Sequence, residues 1–324
     1  MSILCHIAIS EGRIKRSSLE TLSHARHIAK KNNMEVSAVI IDVKAGNYVP
    51  EVKKFGVSKI YTIESPLFEH HINSPLIEAL IKVINLEKPK VMTFASTESI
   101  KDVLGAVGSR TKAGVIPDVA SFDLQNGTIH AQRPIMASKF LADTESNADL
   151  VLVSVRSGSY DVQESPGDAE VIKVDFDFDE NNIRQKIREI ISTSGDKIDL
   201  SEAQIVVAAG RGVKDEEGKK LIMELSEVLG AAIGASRSVV ETGMFSPSTQ
   251  IGQTGKVVSP QLYLAVGISG AIQHTSGMVN SRIIVAINKD PEAPIFDIAN
   301  YGLVGDLYKI LPLLIGQIKS AKNK

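Results

Sequence analysis

Most residues suited to chemistry lie after position 200, in loops rich in glycine, hydroxyl, amide and arginine side chains. Gly210-Arg211-Gly212 follows a short apolar run and precedes a helical pattern, where backbone N–H groups and a guanidinium can hold a phosphate or carboxylate. Gly267-Ile268-Ser269-Gly270-Ala271-Ile272-Gln273-His274 leaves the apolar run Leu262 to Val266 and opens a second helical pattern, with small residues that admit a ligand to the backbone. A pyrophosphate fits such a helix start. Ala235-Ser236-Arg237 and Gln250-Ile251-Gly252-Gln253-Thr254-Gly255 add donors for a heteroaromatic ring. Asn288 to Phe296 leaves another strand through a proline-stiffened turn, and Asp306 stands where the last helix begins.

Each loop alone also has a plainer reading. Gly210 to Gly212 fits a tight turn with a surface arginine, Arg237 a surface salt bridge, Gln253 and Thr254 turn capping, Asp306 a helix-terminus charge, and His274 an ordinary core histidine. No Gly-x-Gly-x-x-Gly fingerprint and no Gly-Lys-Ser/Thr occurs at these loops, so neither the standard dinucleotide loop nor a Walker loop is supported. Their concentration in one half of the chain is what favours a ligand.

Such loops need strands to carry them. Ile3 to Ser10, Val36 to Ile41, Lys59 to Ile63 and Val91 to Ala95 read as strands. Helical spacing separates them at Ser17 to Lys31, Val49 to Phe55, Pro75 to Leu86 and Ile100 to Lys112. Repeated strand–helix units with apolar strands imply a parallel sheet covered on both faces. From Ser121 to Asp177, strand-like runs around Asn126-Gly127 and Ser157-Gly158 read as antiparallel. The charged, Asn- and Ser-containing stretch Asp175 to Ser201, with one short helix at Ile183 to Ile191, reads as a domain boundary. The rhythm restarts with strands Ile205 to Ala208, Leu262 to Val266 and Ile283 to Ile287 and helices Asp215 to Leu229 and Gly305 to Ser320. In open α/β sheets ligands bind at strand carboxyl ends, where these loops fall.

The composition excludes several alternatives. With 324 residues the chain is longer than most single cores. Lys plus Arg is 36 against 38 for Asp plus Glu, so no basic excess points to nucleic acid or an anionic membrane. Cys5 is the only cysteine, which rules out an intrachain disulfide and cysteine-based zinc or iron–sulfur sites and suits a reducing compartment. The segment Met1 to Ser10 lacks signal-peptide features and no apolar run reaches transmembrane length, so the expected location is cytoplasmic.

Taken together, Gly210 to Gly212, Ala235 to Arg237, Gln250 to Lys256, Leu262 to His274 and Ile287 to Gly302 resemble the FAD domain of electron-transfer flavoprotein alpha subunits. The runs VGISGAIQH and AINKDPEAPIFDIANYG are too long for chance. Gly114 to Val119, Arg133 to Ser138 and Val155 to Tyr160 resemble the same family more loosely. Met136 and Ser138 stand where the family leads one to expect an aromatic residue and a glycine.

The resemblance implies an α/β chain of two domains, each on a mainly parallel sheet with flanking helices. Residues 1–192 would pair with a beta subunit, and 199–324 would form a Rossmann-like FAD-binding domain. Ser236, Gln253, Ser269, Gly270, Ala271 and Ile272 would hold the pyrophosphate and ribityl region, with Asn288 and Asp306 toward the adenosine. Arg211 would complete a pocket that also includes Ile251, Gly252, Gln273 and Leu307. Arg237 would lie against the isoalloxazine, Thr254 near the flavin N5, and His274 at the N1/C2-carbonyl edge. Negative charge developing there would be stabilised by Arg237 and would raise the His274 pKa.

The implied function is that of an electron carrier, not an enzyme with its own substrate. It would pass electrons from flavin dehydrogenases, such as the acyl-CoA dehydrogenases of fatty acid oxidation, to a quinone reductase or another acceptor. Two alternatives stand beside it. One is a subunit of an electron-bifurcating complex that oxidises NADH. The other is a nucleotide-binding module without redox activity, since a fold does not fix a function.

Overall fold

The computed structural model describes residues 1–70, 72–136, 138, 140–183, 187 and 200–322. The chain divides into two compact units, Met1–Ile190 and Ile191–Lys324. The helix expected over Ile183 to Ile191, and the boundary after it, fall almost wholly outside the described residues. Among the described residues no helix is long and apolar enough to cross a membrane.

The first unit contains strands β1 (Ser2–Ile7), β2 (Glu35–Asp42), β3 (Lys59–Glu64), β4 (Val91–Ala95), β5 (Gly114–Val119), β6 (Ser121–Gln125), β7 (Thr128–Ile135), β8 (Phe140–Ser146), β9 (Val151–Val155) and β10 (Glu170–Lys173). Seven of them form one sheet in the order β10-β3-β2-β1-β4-β9-β5, with every neighbouring pair parallel. Helix α1 (Arg16–Lys31) covers one face, where Leu22, Ala25 and Ile28 meet Ile3, Cys5 and Ile7. Helices α2 (Asn73–Glu87) and α3 (Glu98–Thr111) cover the other, where Leu80, Val83 and Val103 share a core with Leu4. The period of two along β1 assigns its side chains to these two layers.

Two expectations need correction here. Ser121 to Asp177 is antiparallel only through β6, β7 and β8, which form a separate three-stranded sheet. Strands β9 and β10 enter the parallel sheet instead, and β9 is buried along its whole length, as a strand covered on both faces must be. The first strand also stops at Ile7. The Ala8 N–H donates to Ser18 Oγ (3.0 Å), and Ile9–Ser10 then pairs with Arg13–Ile14 in a small antiparallel ribbon.

The second unit has five parallel strands, β11 (Ile205–Ala209), β12 (Ala232–Ala235), β13 (Leu262–Val266), β14 (Ile283–Asn288) and β15 (Tyr301–Val304), in the order β12-β11-β13-β14-β15. Chain direction across the sheet reverses between β11 and β13, so their carboxyl ends flank the crevice where such sheets take ligands. Helix α4 (Glu216–Leu229) starts on the Asp215 carboxylate, which accepts the Gly218 N–H (2.9 Å), and ends at Gly230 with φ +64. Strands β12 and β15 escaped the sequence reading. The first is only Ala-Ile-Gly-Ala, and Ile251 packs over Gly234, where a Cβ would meet its Cδ1 at 2.3 Å unless that side chain moved. The second is exposed at every position, without the alternation that marks a half-buried strand.

Candidate functional site

The carboxyl ends of the second sheet open into a cleft of about 880 Å³, at the upper end of the roughly 300–1,000 Å³ usual for cofactor pockets. Arg211, Ser236, Arg237, Ile251, Gly252, Thr254, Ser269, Ala271, Gln273, His274, Asn288, Asp306 and Leu307 all line it. Gln253, Gly270 and Ile272 do not. The sequence reading placed them among the binding residues, but the backbone gives two of them bracing roles. The Gln253 N–H donates to the Gln273 carbonyl (2.7 Å), which ties the loop after β12 to the loop after β13. Gly270, at φ +91, lies so close to the next loop that a Cβ would meet the Ile295 nitrogen at 2.1 Å. The Ile272 side chain is half exposed.

The loop after β11 also differs from expectation. Its glycines are spent on the protein itself, since the Gly210 N–H donates to Val266 O (2.8 Å) and the Gly212 N–H to Gly267 O (3.0 Å). A Cβ on Gly210 would meet that same carbonyl at 2.3 Å. Two loops thus touch backbone to backbone, and Arg211 is left to reach the cleft by its side chain. Asn288 braces this floor, donating from Nδ2 to Ile268 O (2.8 Å) and accepting the Asp290 N–H (3.0 Å). Asp306 caps α6 (Leu307–Lys322) by accepting the Tyr308 N–H (3.0 Å), so the plain helix-terminus role holds for it beside its place in the cleft wall.

What remains open for a ligand is backbone. Among the described residues, no acceptor is found for the N–H groups of Ser269, Gly270, Ala271, Ile272 and Gln273. The expected helix is a single turn, α5 (Ile272–Thr275), whose first donors have no intrahelical partner. Apart from Gly270 these residues are exposed, so the row is open to an anion rich in oxygen. Arg237 stands nearby with its Nε on Glu241 (2.7 Å), an ion pair in which both side chains are largely exposed. Thr254 Oγ1 accepts from Gln250 Nε2 (3.0 Å).

His274 is the buried polar residue of the cleft wall, 7% exposed. Its Nε2 lies 2.8 Å from the hydroxyl of Tyr263, and its Nδ1 is buried without a partner. Burial pushes its pKa down to about 4, against an upward pull from the Ile251 backbone, which makes no bond of normal geometry to Nδ1. The expected upward shift is therefore absent in the free protein. Desolvation rules until a negative charge is brought beside the ring.

The sequence reading missed Lys214, Glu241, Lys289 and Tyr308, which also line the cleft. Tyr308 links the loop after β11 to the last helix, accepting the Lys214 N–H (3.1 Å) and donating to Asp215 (3.0 Å). Lys289 and Tyr308 directly follow the expected Asn288 and Leu307, and Glu241 stands one helical turn after Arg237. Adjacency and the i,i+4 pairing were the available signals.

Comparison with known proteins adds an independent line. Residues 6–179 match the electron transfer flavoprotein domain, and residues 199–279 match the electron transfer flavoprotein FAD-binding domain. The chain is 38% identical to the electron transfer flavoprotein subunit alpha of Thermoanaerobacterium thermosaccharolyticum, over 96% of each chain. It is 37% identical to the protein of the same name in Bacillus subtilis, over 96% of this chain and 95% of the relative. Protein FixB of Clostridium saccharobutylicum is 34% identical, over 95% and 93% respectively.

Proposed function

Because the chain belongs to the electron transfer flavoprotein alpha-subunit family and carries its FAD-binding domain, we propose that the cleft of the second unit holds one FAD. Paired with a beta subunit, the chain then carries electrons from flavin dehydrogenases, acyl-CoA dehydrogenases among them, to a quinone reductase or another acceptor. The observation that carries this reading is the row of free N–H groups from Ser269 to Gln273 at the sheet's switch point, beside the orphaned Nδ1 of His274.

When bound, FAD supplies the redox chemistry, and the chain's own residues hold and tune it. The free N–H row and the Ser236 hydroxyl suit the pyrophosphate and ribityl oxygens, with the Arg211 charge beside them. Asn288 and Asp306, fixed by their own hydrogen bonds, suit the adenosine side. Arg237 gives up an exposed ion pair worth about 1 kcal/mol or less, so turning its guanidinium toward the flavin costs little. Thr254 and His274 then supply donors at the ring edges.

Co-expression with the beta subunit tests the reading. The expected product is yellow and holds FAD in this chain, and Arg237→Ala and His274→Ala lower the first one-electron potential of the bound flavin, about 59 mV marking each tenfold loss of preference for the one-electron-reduced form. A colourless heterodimer that rejects FAD sinks the proposal. Two flavins per heterodimer together with NADH oxidation turn it into the bifurcating alternative.

A further inference from the structure

The hydrogen bond behind His274 assigns a proton. Tyr263, on β13, is fully buried, and its hydroxyl has His274 Nε2 as its one partner among the described residues. Two placements of hydrogen satisfy the 2.8 Å contact. If Nε2–H donates to the tyrosine oxygen, the tyrosine proton and the Nδ1 lone pair are both left buried and unpaired. If the tyrosine donates to Nε2, only an Nδ1–H is left, because a neutral imidazole carries one proton. Unpaired buried groups are costly, so the arrangement with one orphan prevails over that with two.

We propose that Tyr263 is a positioning residue that locks His274 as the Nδ1–H tautomer, so that the ring keeps one unspent donor at Nδ1 for the flavin. This inference rests on the FAD reading of the cleft. Two further observations agree with it. Burial keeps the Tyr263 hydroxyl protonated and holds His274 down at about 4, so at neutral pH the ring is uncharged and has a single N–H to place. The upward pull of the Ile251 backbone on His274 is the effect of an acceptor near the ring, which suits a proton at Nδ1.

The test uses the full chain with its beta subunit and nitrogen-15-labelled histidine, with the His274→Gln spectrum assigning the His274 signals. Wild-type protein freed of FAD is expected to show a proton on Nδ1 and an accepting, unprotonated Nε2 at neutral pH. Tyr263→Phe, which removes only the hydroxyl, should give mixed tautomers and weaken FAD binding by about threefold to tenfold, the effect of one neutral hydrogen bond. His274→Asn, whose amide N–H falls near Nδ1, should retain FAD better than His274→Gln, whose amide reaches toward Nε2. A wild-type ring protonated at Nε2 overturns the proposal, and this measurement stands even where Tyr263→Phe fails to fold. So does a folded Tyr263→Phe with the same single tautomer and unchanged FAD affinity. A wild-type Nδ1–H in a heterodimer that rejects FAD overturns the donor role together with the cofactor reading, while the tautomer assignment survives.

Discussion

The two units carry sheets of the same kind, each reversing direction between its first strand and a neighbour, yet their strand ends are finished differently. In the first unit the chain fills its own crevice. Ser18 takes the Ala8 N–H, the buried Glu20 carboxylate takes the Gly158 N–H (2.7 Å), and Asp118 bonds Ser96, Ser154 and Arg156 at the carboxyl ends of β4, β5 and β9. In the second unit the corresponding side chains are missing, and five consecutive N–H groups after β13 find no acceptor among the described residues. Topology offers a crevice twice, and loop chemistry decides which one is left for a ligand.

The sharpest way to break this comparison is to fill a glycine on each side. Gly270 combines φ +91 with a Cβ position 2.1 Å from the Ile295 nitrogen, so Gly270→Val must push the free N–H row away from the loop that supports it. The expected loss of FAD affinity is at least a thousandfold, roughly 4 kcal/mol. Gly105, inside α3 of the first unit, has open space around its Cβ position. There Gly105→Ala should leave FAD binding alone and raise stability by about 0.5–1 kcal/mol. Equal FAD binding by Gly270→Val and wild type, measured by fluorescence titration, would sink the assignment of this loop.

A second difference is in acid sensitivity. His274 is held at about 4 by burial, against 6.5 when free. Between those values the unfolded chain binds a proton that the folded chain refuses, so stability is complete above about pH 6.5 and falls as pH drops toward 4. The loss amounts to about 3 kcal/mol at most. In the first unit burial also lowers His24. Burial, the largest single influence on Asp118, pushes it up, but the hydrogen bond and charge of Arg156, the Lys101 charge and the Ser96 hydroxyl together hold it below the usual carboxylate range. His274→Gln should therefore flatten only part of the pH dependence of urea unfolding in FAD-free protein. A variant whose slope matches wild type across that window would mean that His274 is hydrated in the free state.

Glu20 offers the converse test in the first unit. Removing its carboxylate by Glu20→Ala leaves the Gly158 N–H without its acceptor and takes away the carboxylate contact of Arg16 Nε (3.2 Å). A cost of about 1–3 kcal/mol follows. FAD affinity should stay at the wild-type value, since the crevice closed by Glu20 belongs to the other unit. A variant of full stability, or one that loses FAD, contradicts the division of labour between the two crevices.

Part of this was legible in the residues. The apolar runs of β1, β4, β11 and β13 and the periodic helices α1 and α4 announced themselves, because burial on both faces or on one stripe leaves a pattern in the chain. The loops that make the cleft were found by their glycine and hydroxyl content. Their internal economy was hidden. Nothing in Gly210-Arg211-Gly212 says that its N–H groups serve Val266 and Gly267, because those partners are set by the pairing of β11 with β13. Likewise the His274 pKa is a property of depth, which no spacing encodes. Strand β9 was misread for a related reason: it follows a hairpin in sequence but finds its neighbours β4 and β5 far back along the chain.

The smallest effect concerns a residue where the sequence itself raised a question. Ser138 stands where the family leads one to expect glycine, and its φ is +63, the left-handed region in which a Cβ costs roughly 1 kcal/mol. The serine is not without compensation, since its Oγ accepts a hydrogen bond from Arg156 Nη1 (3.3 Å), and that arginine also holds Asp118 at 2.7 Å. Ser138→Gly relieves the strain but loses this long bond and frees the unfolded chain, which offsets most of the gain, so its stability should lie within about 0.5 kcal/mol of wild type. Ser138→Ala keeps the strained Cβ and loses the bond, and should therefore be the least stable of the three, by roughly 0.5–1 kcal/mol. Denaturant unfolding of the three proteins ranks them directly. If alanine equals or exceeds glycine, the backbone at this position is not paying a left-handed penalty, and the hydroxyl of Ser138 is not what makes serine acceptable there.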